Sequence, residues 1–127
     1  MLKLILLKCC LCIALLSGAN TTIVKNADEL KKANKEASPG DIIVLQDGIW
    51  NNITISLNCT GTKEQPITFK AQTAGKVIIS GNSKLLIGGT YIIVDGFYFT
   101  NGYAGSDAII KFRVNNEQLA NYCRVTN

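Results

Sequence analysis

Histidine is absent from the 127 residues of this sequence, and proline occurs only twice. Without histidine, these residues cannot form a Ser-His-Asp or Cys-His catalytic group, or a zinc site with a histidine ligand. Charged residues are also few, at 17%, whereas 47% of the residues are hydrophobic, and this balance excludes a disordered chain. The length allows a single domain at most.

The formal net charge of +4 is modest, and part of it belongs to an N-terminal segment that we expect to be removed. Lys3 and Lys8 lie in that segment. The remaining residues 20–127 contain eleven basic and nine acidic side chains, for a net charge of +2. A charge of this size is typical of an ordinary solvated surface, and we predict no nucleic-acid partner.

Residues 1–19 have the three-part layout of a secretory signal peptide. The positive charges of Lys3 and Lys8 come first, followed by an apolar run at 9–16 and by the small residues at 17–19. The alternative is a membrane anchor, but the run is short for a hydrocarbon core of ~30 Å. We therefore predict cleavage near Ala19, a secreted or periplasmic protein and no stable membrane span after cleavage.

Two of the five cysteines, Cys59 and Cys123, remain after this cleavage. In an exported protein they could form a disulfide. We favour the alternative, in which both are small buried apolar residues of a core made of strands.

One helix is predicted, over Asn26–Glu36. Asn26 can cap it, and Glu29 three residues later completes a capping-box pattern. An apolar stripe at helical spacing consists of Ala27, Leu30, Ala33 and Ala37. Because the stripe is narrow, we expect the helix to lie on another element, and Pro39-Gly40 to end it.

From Asp41 onward, short runs rich in Ile and Val alternate with Gly, Asn, Asp or Ser, which is the pattern of strands and turns. We predict strands at 42–45, 53–57, 67–69, 77–79, 85–87, 91–94, 97–99, 108–112 and 122–125. The predicted breaks are Asp47-Gly48, Gly61, Gly81-Asn82, Gly88-Gly89, Asp95-Gly96 and Asn101-Gly102.

The spacing of these runs favours an all-β fold of stacked repeats. Ile42, Ile67 and Ile92 recur at intervals of 25, and Ile53 and Ile78 repeat that interval. Runs that are apolar throughout suit buried parallel strands. We therefore predict the first coils of a right-handed parallel β-helix, with the helix as its N-terminal cap. A β-sandwich with hairpins at Asp95-Gly96 and Asn101-Gly102 is the alternative.

Several strings together resemble one family of β-helix enzymes. They are SPGDIIVLQDGIW at 38–50, GTKEQPITFKA at 61–71, GKVIISG at 75–81 and YIIVDGFYFTNG at 91–102. Their order and spacing resemble the N-terminal region of polysaccharide lyase family 6, which contains chondroitinase B and many alginate lyases. Trp50 lies where that family more often has Tyr, and we interpret it as a packing residue.

The resemblance implies cleavage of a uronate-containing polysaccharide by β-elimination. It further implies calcium, held by carboxylate and amide side chains, that neutralises the uronate carboxylate, with a lysine as base and an arginine assisting the leaving oxygen. In the family these groups lie on coils downstream of the region matched here. No catalytic, cofactor-binding or metal-binding residue is therefore transferred to this chain, which we expect to be the N-terminal part of a longer enzyme and inactive alone.

Three sets of side chains are nevertheless candidates for a site. Lys111, Arg113 and Arg124 could attract an acidic glycan, although a solvated surface is the interpretation we favour. The carboxylates that could suggest calcium are Asp95, Asp107 and Glu117, for which turn and surface roles are favoured. The aromatic residues that could stack on a sugar are Tyr91, Phe97, Tyr98, Phe99 and Tyr103.

Strand alternation places Phe97 and Phe99 in the core and Tyr98 outside. Sequons for N-glycosylation occur at Asn20, Asn52 and Asn58, and chance matches are expected in a chain rich in asparagine.

Two functions from different classes follow from these observations. The first is a secreted polysaccharide lyase acting on an anionic polysaccharide, with alginate preferred and chondroitin or dermatan sulfate as the alternative. The second is a non-catalytic β-helix module that binds glycans or acts as a surface adhesin. Downstream coils carrying an Asn, two closely spaced Glu, a Lys and an Arg would favour the lyase.

Overall fold

Short strands dominate the computed structural model, which describes residues 18–103, 105 and 107–127. Most of the predicted signal peptide, residues 1–17, lies outside the described residues. The elements are β1 (Thr21–Val24), α1 (Ala27–Glu36), β2 (Ile42–Leu45), β3 (Gly48–Asn51), β4 (Thr54–Leu57), β5 (Ile67–Ala71), β6 (Val77–Gly81), β7 (Lys84–Ile87), β8 (Ile92–Asp95), β9 (Phe97–Gly102), β10 (Ile110–Lys111) and β11 (Arg124–Thr126). Within these ranges, no helix has the length and apolar character needed to cross a membrane.

The strands form three sheets in which neighbouring strands are parallel. Sheet 1 has the order β1-β2-β5-β8-β11, sheet 2 the order β3-β6-β9, and sheet 3 the order β4-β7-β10. From β2 onward, consecutive strands belong to different sheets, so the chain winds in coils: β2 to β4, β5 to β7, and β8 to β10. This winding confirms the predicted right-handed parallel β-helix, and the sandwich alternative is wrong.

The coils differ in length, so the predicted interval of 25 holds only in part. Ile67 does lie opposite Ile92, but Ile42 lies opposite Thr68. Ile53 and Ile78 are not equivalent, since Ile78 belongs to β6 of sheet 2 whereas Ile53 immediately precedes β4 of sheet 3. The error arises because outward positions of sheet 1 are also apolar, so residue type alone does not distinguish the two faces.

Strands β2, β5 and β8 of sheet 1 alternate between buried residues and residues that are partly or fully exposed. Ile43, Phe69 and Val94 lie opposite one another on the inner face and are almost fully buried. Their partly exposed neighbours Ile42 and Thr68 point outward. Burial of each Ile, Leu, Val or Phe side chain contributes ~1.5–3 kcal/mol, so the stacked inner residues are the main source of stability.

Helix α1 covers the first coil as predicted, and Asn26 caps it, but Glu29 bonds to the amide before Asn26 rather than to the amide of Asn26 that a capping box uses. The side chain of Asn26 accepts a hydrogen bond from the Glu29 amide at 2.9 Å. The Glu29 carboxylate in turn accepts one from the amide of Lys25 at 2.8 Å. Leu30 is only 4% exposed and belongs to the core beneath the helix.

The apolar stripe predicted for α1 is correct only in part. Leu30 is buried and Ala33 and Ala37 pack against the core, but Ala27 is exposed. A polar residue, Asn34, completes the buried face. Its Nδ2 donates to Asn58 Oδ1 at 2.8 Å, and its Oδ1 accepts from the Asn58 amide at 3.2 Å. This reciprocal pair fastens the helix to the turn that follows β4.

Two strands, β1 and β3, were not predicted. β3 begins at Gly48, within the predicted break Asp47-Gly48. Gly48 has a φ of +140°, a backbone conformation that favours glycine. Of the four residues of β3 only Trp50 is buried, so the strand lacks a strong apolar pattern. The packing role predicted for Trp50 is confirmed, and its Nε1 donates to the carbonyl of Gln46 at 3.0 Å.

Candidate functional site

A shallow cleft of about 840 Å³ lies on the outer face of sheet 3. Its floor is formed by outward residues of β4, β7 and β10, and its wall by the segment 112–116. The residues that line it are Thr54, Lys84, Leu86, Asp107, Lys111, Phe112, Arg113, Val114, Asn115 and Asn116. Three of these side chains are cationic and one is anionic, so the lining carries a net charge of +2.

Two of the cations share a single carboxylate. Lys84 Nζ lies 2.9 Å from Asp107 Oδ2, and Lys111 forms a second salt bridge with Oδ1. The amide of Ala108 also donates to Asp107. Hydrogen bonds from Lys111 and Lys84 hold the pKa of the Asp107 carboxyl well below its usual range, so the carboxylate remains ionised. Asp107 therefore orients both ammonium groups at the floor of the cleft.

Arg113 stands on a hairpin that follows β10. The hairpin is closed by backbone hydrogen bonds from Val114 to Gln118 and from Ala120 to Phe112, at 2.9 and 3.0 Å. At its tip, Asn115 Oδ1 accepts from the amides of Glu117 and Gln118, a turn that the Asn-Asn pair favours. The hairpin gives Arg113 a defined position at the cleft wall.

Gly88 allows this hairpin to approach the second coil. A Cβ atom at position 88 would lie 2.7 Å from the carbonyl oxygen of Gln118 and 2.8 Å from a methyl carbon of Val114. Because the first of these is a backbone atom, a larger residue would displace the hairpin. At the predicted break Gly88-Gly89, the absence of a side chain on Gly88 thus permits two coils to approach closely.

The basic trio considered from the sequence is divided by the fold. Lys111 and Arg113 line the same cleft, but Arg124 lies in β11 of sheet 1, opposite Ile93 and exposed. Lys84 takes the third position and was not singled out from the sequence. It precedes Lys111 by one coil, and only the pairing of β7 with β10 brings the two together.

The three candidate carboxylates do not meet. Asp95 ends β8 in sheet 1 and accepts a hydrogen bond from Asn127, Asp107 pairs with the two lysines, and Glu117 is exposed on the hairpin. In the part of the chain that the structure describes, no group of three or more His, Cys, Asp or Glu side chains is placed to hold a metal ion. These carboxylates are therefore not gathered into one site, and the location of calcium ligands on other coils stays a prediction.

The aromatic residues also separate. Phe97 is buried, Phe99 packs against the core, and Tyr98 is 52% exposed, as strand alternation predicted. Tyr91 stacks on Tyr122 with ring centroids 4.8 Å apart and planes inclined by 9°. Both tyrosines have a positive φ, near +50°, so the stack forms at a corner of the coils. The sequence did not suggest the stacking of Tyr91 on Tyr122, because the two residues are one long coil apart along the chain.

The two cysteines in the described part of the chain, Cys59 and Cys123, are free thiols. Cys59 is buried, and Cys123 is partly buried with its Sγ 3.4 Å from the carbonyl of Gly89. Burial raises the pKa of the Cys59 thiol to about 12, which leaves it protonated and unreactive at neutral pH. The interpretation as small apolar residues fits this arrangement.

Comparison with known proteins identifies the family. The family model for chondroitinase B matches residues 24–127. The chain therefore belongs to the chondroitinase B family, as the resemblance to polysaccharide lyase family 6 implied. None of the curated proteins matches the chain.

Solved structures of family 6 lyases have the same fold. The alginate lyase AlyGC is 37% identical, with a TM-score of 0.79, and the match covers 83% of this chain and 14% of that one. The lyase Pedsa3628 from Pseudopedobacter saltans is 36% identical, with a TM-score of 0.70, covering 83% and 24%. A mannuronic acid-specific lyase from human gut microbiota is 26% identical, with a TM-score of 0.72, covering 84% and 25%. This chain thus spans a quarter or less of their length.

Proposed function

We propose that the gene product carrying these coils is a polysaccharide lyase that cleaves a uronate-containing polysaccharide by β-elimination. The observation that supports this most is the family match across residues 24–127, together with 37% identity to an alginate lyase of the same fold. Within the lyase, α1 caps the solenoid and the three coils support the coils that carry out the reaction.

Alginate is the proposed substrate, with chondroitin or dermatan sulfate as the alternative. AlyGC is an alginate lyase, and the gut lyase is specific for mannuronic acid, a component of alginate. The family model that matches, in contrast, is that of chondroitinase B. All three polysaccharides carry carboxylates, so the partner proposed in each case is an anionic polysaccharide.

Calcium is proposed as the cofactor of the complete enzyme, where it would neutralise the uronate carboxylate. The described residues do not supply its ligands, and we assign them no step in the elimination. The base and the acid are likewise proposed to lie on other coils.

Export is proposed from the N-terminal segment. Lys3 and Lys8 precede an apolar run and the small residues at 17–19, and a polymeric substrate is met outside the cell. N-terminal sequencing of protein from the periplasm or medium should show a start near Asn20. Exported protein that begins at Met1 would contradict cleavage.

The proposed reaction is tested on the complete gene product with alginate, chondroitin sulfate and dermatan sulfate in the presence of calcium. Elimination yields oligosaccharides with an unsaturated terminal sugar, lighter by one water than the products of hydrolysis. Mass spectrometry distinguishes these outcomes. The alternative, a glycan-binding module, predicts retention of the polysaccharide without any change in its mass.

A further inference from the structure

We propose that the cleft on sheet 3 is a binding site for the carboxylate groups of an acidic saccharide, with Lys84, Lys111 and Arg113 as its cationic groups. The class of ligand rests on the proposed function, whereas the charge and shape of the site come from the structure alone.

The charge of the cleft sets it apart from the other large depression. The groove between β1 and α1, of about 540 Å³, is lined by Lys25 and Lys32 but also by three carboxylates. The cleft on sheet 3 is larger and has three cations against the single carboxylate of Asp107. An anionic ligand is therefore favoured in the cleft on sheet 3 and disfavoured in the groove between β1 and α1.

The two lysines are held in place before any ligand binds. Both project from the outer face of sheet 3, where Lys111 lies opposite Leu86, two residues along β7 from Lys84. Asp107 contacts both ammonium groups, and the side chains of Lys84 and Lys111 remain 27% and 34% exposed. Each ammonium group has three donors, so donors remain for an incoming carboxylate after the contact with Asp107.

Arg113 supplies a cation that has no carboxylate partner among the described residues. In residues 18–103, 105 and 107–127, no carboxylate lies within salt-bridge distance of its guanidinium group, and the residue is exposed at the cleft wall. A guanidinium group offers a planar fork that binds a carboxylate through two parallel hydrogen bonds. Arg113 is thus the group on which affinity should depend most.

The rest of the lining suits a sugar rather than an isolated anion. Phe112 is 50% exposed at the cleft and offers an apolar ring to the C–H face of a pyranose. The amide side chain of Asn116 provides donors and an acceptor for hydroxyl groups. Apolar surface combined with a few directed polar groups is typical of a binding site for small organic ligands.

The test is a titration of the chain with three oligosaccharides of equal length: a mannuronate, a chondroitin and a neutral glucan oligosaccharide, each followed by calorimetry or NMR. We expect at least one acidic oligosaccharide to bind, the neutral one to bind far more weakly, and added salt to lower the affinity. Arg113→Gln should weaken binding about tenfold or more, and Arg113→Lys should restore part of it.

Arg124→Gln is the matched control, because it removes the same charge from an exposed position on sheet 1. It should leave the affinity within about twofold of the original, since a distant exposed charge is largely screened. Circular dichroism of each variant verifies that the coils are intact. Equal losses for the two arginine variants, equal binding of the neutral oligosaccharide, or binding of neither acidic one would overturn the proposal.

These outcomes are separate from those of the lyase assay. If the complete gene product eliminates alginate but Arg113→Gln leaves both KM and the affinity unchanged, the cleft is not the site while the proposed function stands. If no elimination occurs but the acidic oligosaccharide binds through Arg113, the site stands and the glycan-binding module is the correct function.

Discussion

Among single residues, the buried Cys59 has a strongly perturbed pKa. It lies in the core just after β4, where loss of hydration is the main cause that raises its pKa from 9.0 to about 12. In the unfolded chain the thiol is hydrated and keeps its ordinary pKa. The difference between the two states couples the ionisation of Cys59 to folding.

We predict that this coupling lowers stability in alkali. Below pH 9 the thiol is protonated in both states, and its burial contributes fully. As the pH rises from 9 towards 12, the unfolded chain loses the proton and the folded chain keeps it, so the free energy of unfolding falls. Urea unfolding of the chain and of Cys59→Ala measures this effect. The original chain should lose more stability across that window, and parallel declines would contradict the assignment.

The burial of Asn34 could not be predicted from the sequence. Its position on the helix is polar in the sequence, yet it is buried because Asn58 satisfies both its donor and its acceptor. The two residues are 24 positions apart, and no local pattern relates them. Phe97, Tyr98 and Phe99 were assigned correctly, in contrast, because strand alternation is a local property.

At the scale of elements, the capping role of α1 can be tested by a single substitution. Its sequence predicted both its start and its orientation, because the cap at Asn26 and the apolar Leu30 are local signals. β3 was missed for the opposite reason: three of its four residues are exposed, and its place is fixed by pairing with β6.

Leu30→Asp should destabilise the chain by on the order of 3 kcal/mol, because it places an unpaired charge in the core beneath α1. Lys31→Asp is the matched control, since Lys31 is exposed on the same helix. Thermal unfolding should show a clear fall in Tm for the first variant and little change for the second. Equal Tm values for Leu30→Asp and the original chain would mean that α1 does not cap the solenoid.

For the whole molecule, the coil register decides which side chains meet. The stacked repeats, the cap and the family could be inferred from the order of short motifs. The cleft could not be inferred in this way, because the lengths of the coils are not evident from the sequence. These lengths place Lys84 beside Lys111 and place Arg124 on a different sheet. Charge clusters in a solenoid depend on register rather than on closeness in sequence.

The measurement that tests the proposed function most directly is the ultraviolet absorbance of the conjugated double bond formed by elimination. Residues 20–127 and the complete gene product are each mixed with alginate, dermatan sulfate and chondroitin sulfate in the presence of calcium. We predict a sustained rise for the complete product, first of all on alginate, and none for residues 20–127, since base, acid and charge-neutralising group must meet in one cleft. Sustained turnover by residues 20–127 would place a catalytic site within these coils, and no rise with the complete product on any substrate would contradict the assignment as a lyase.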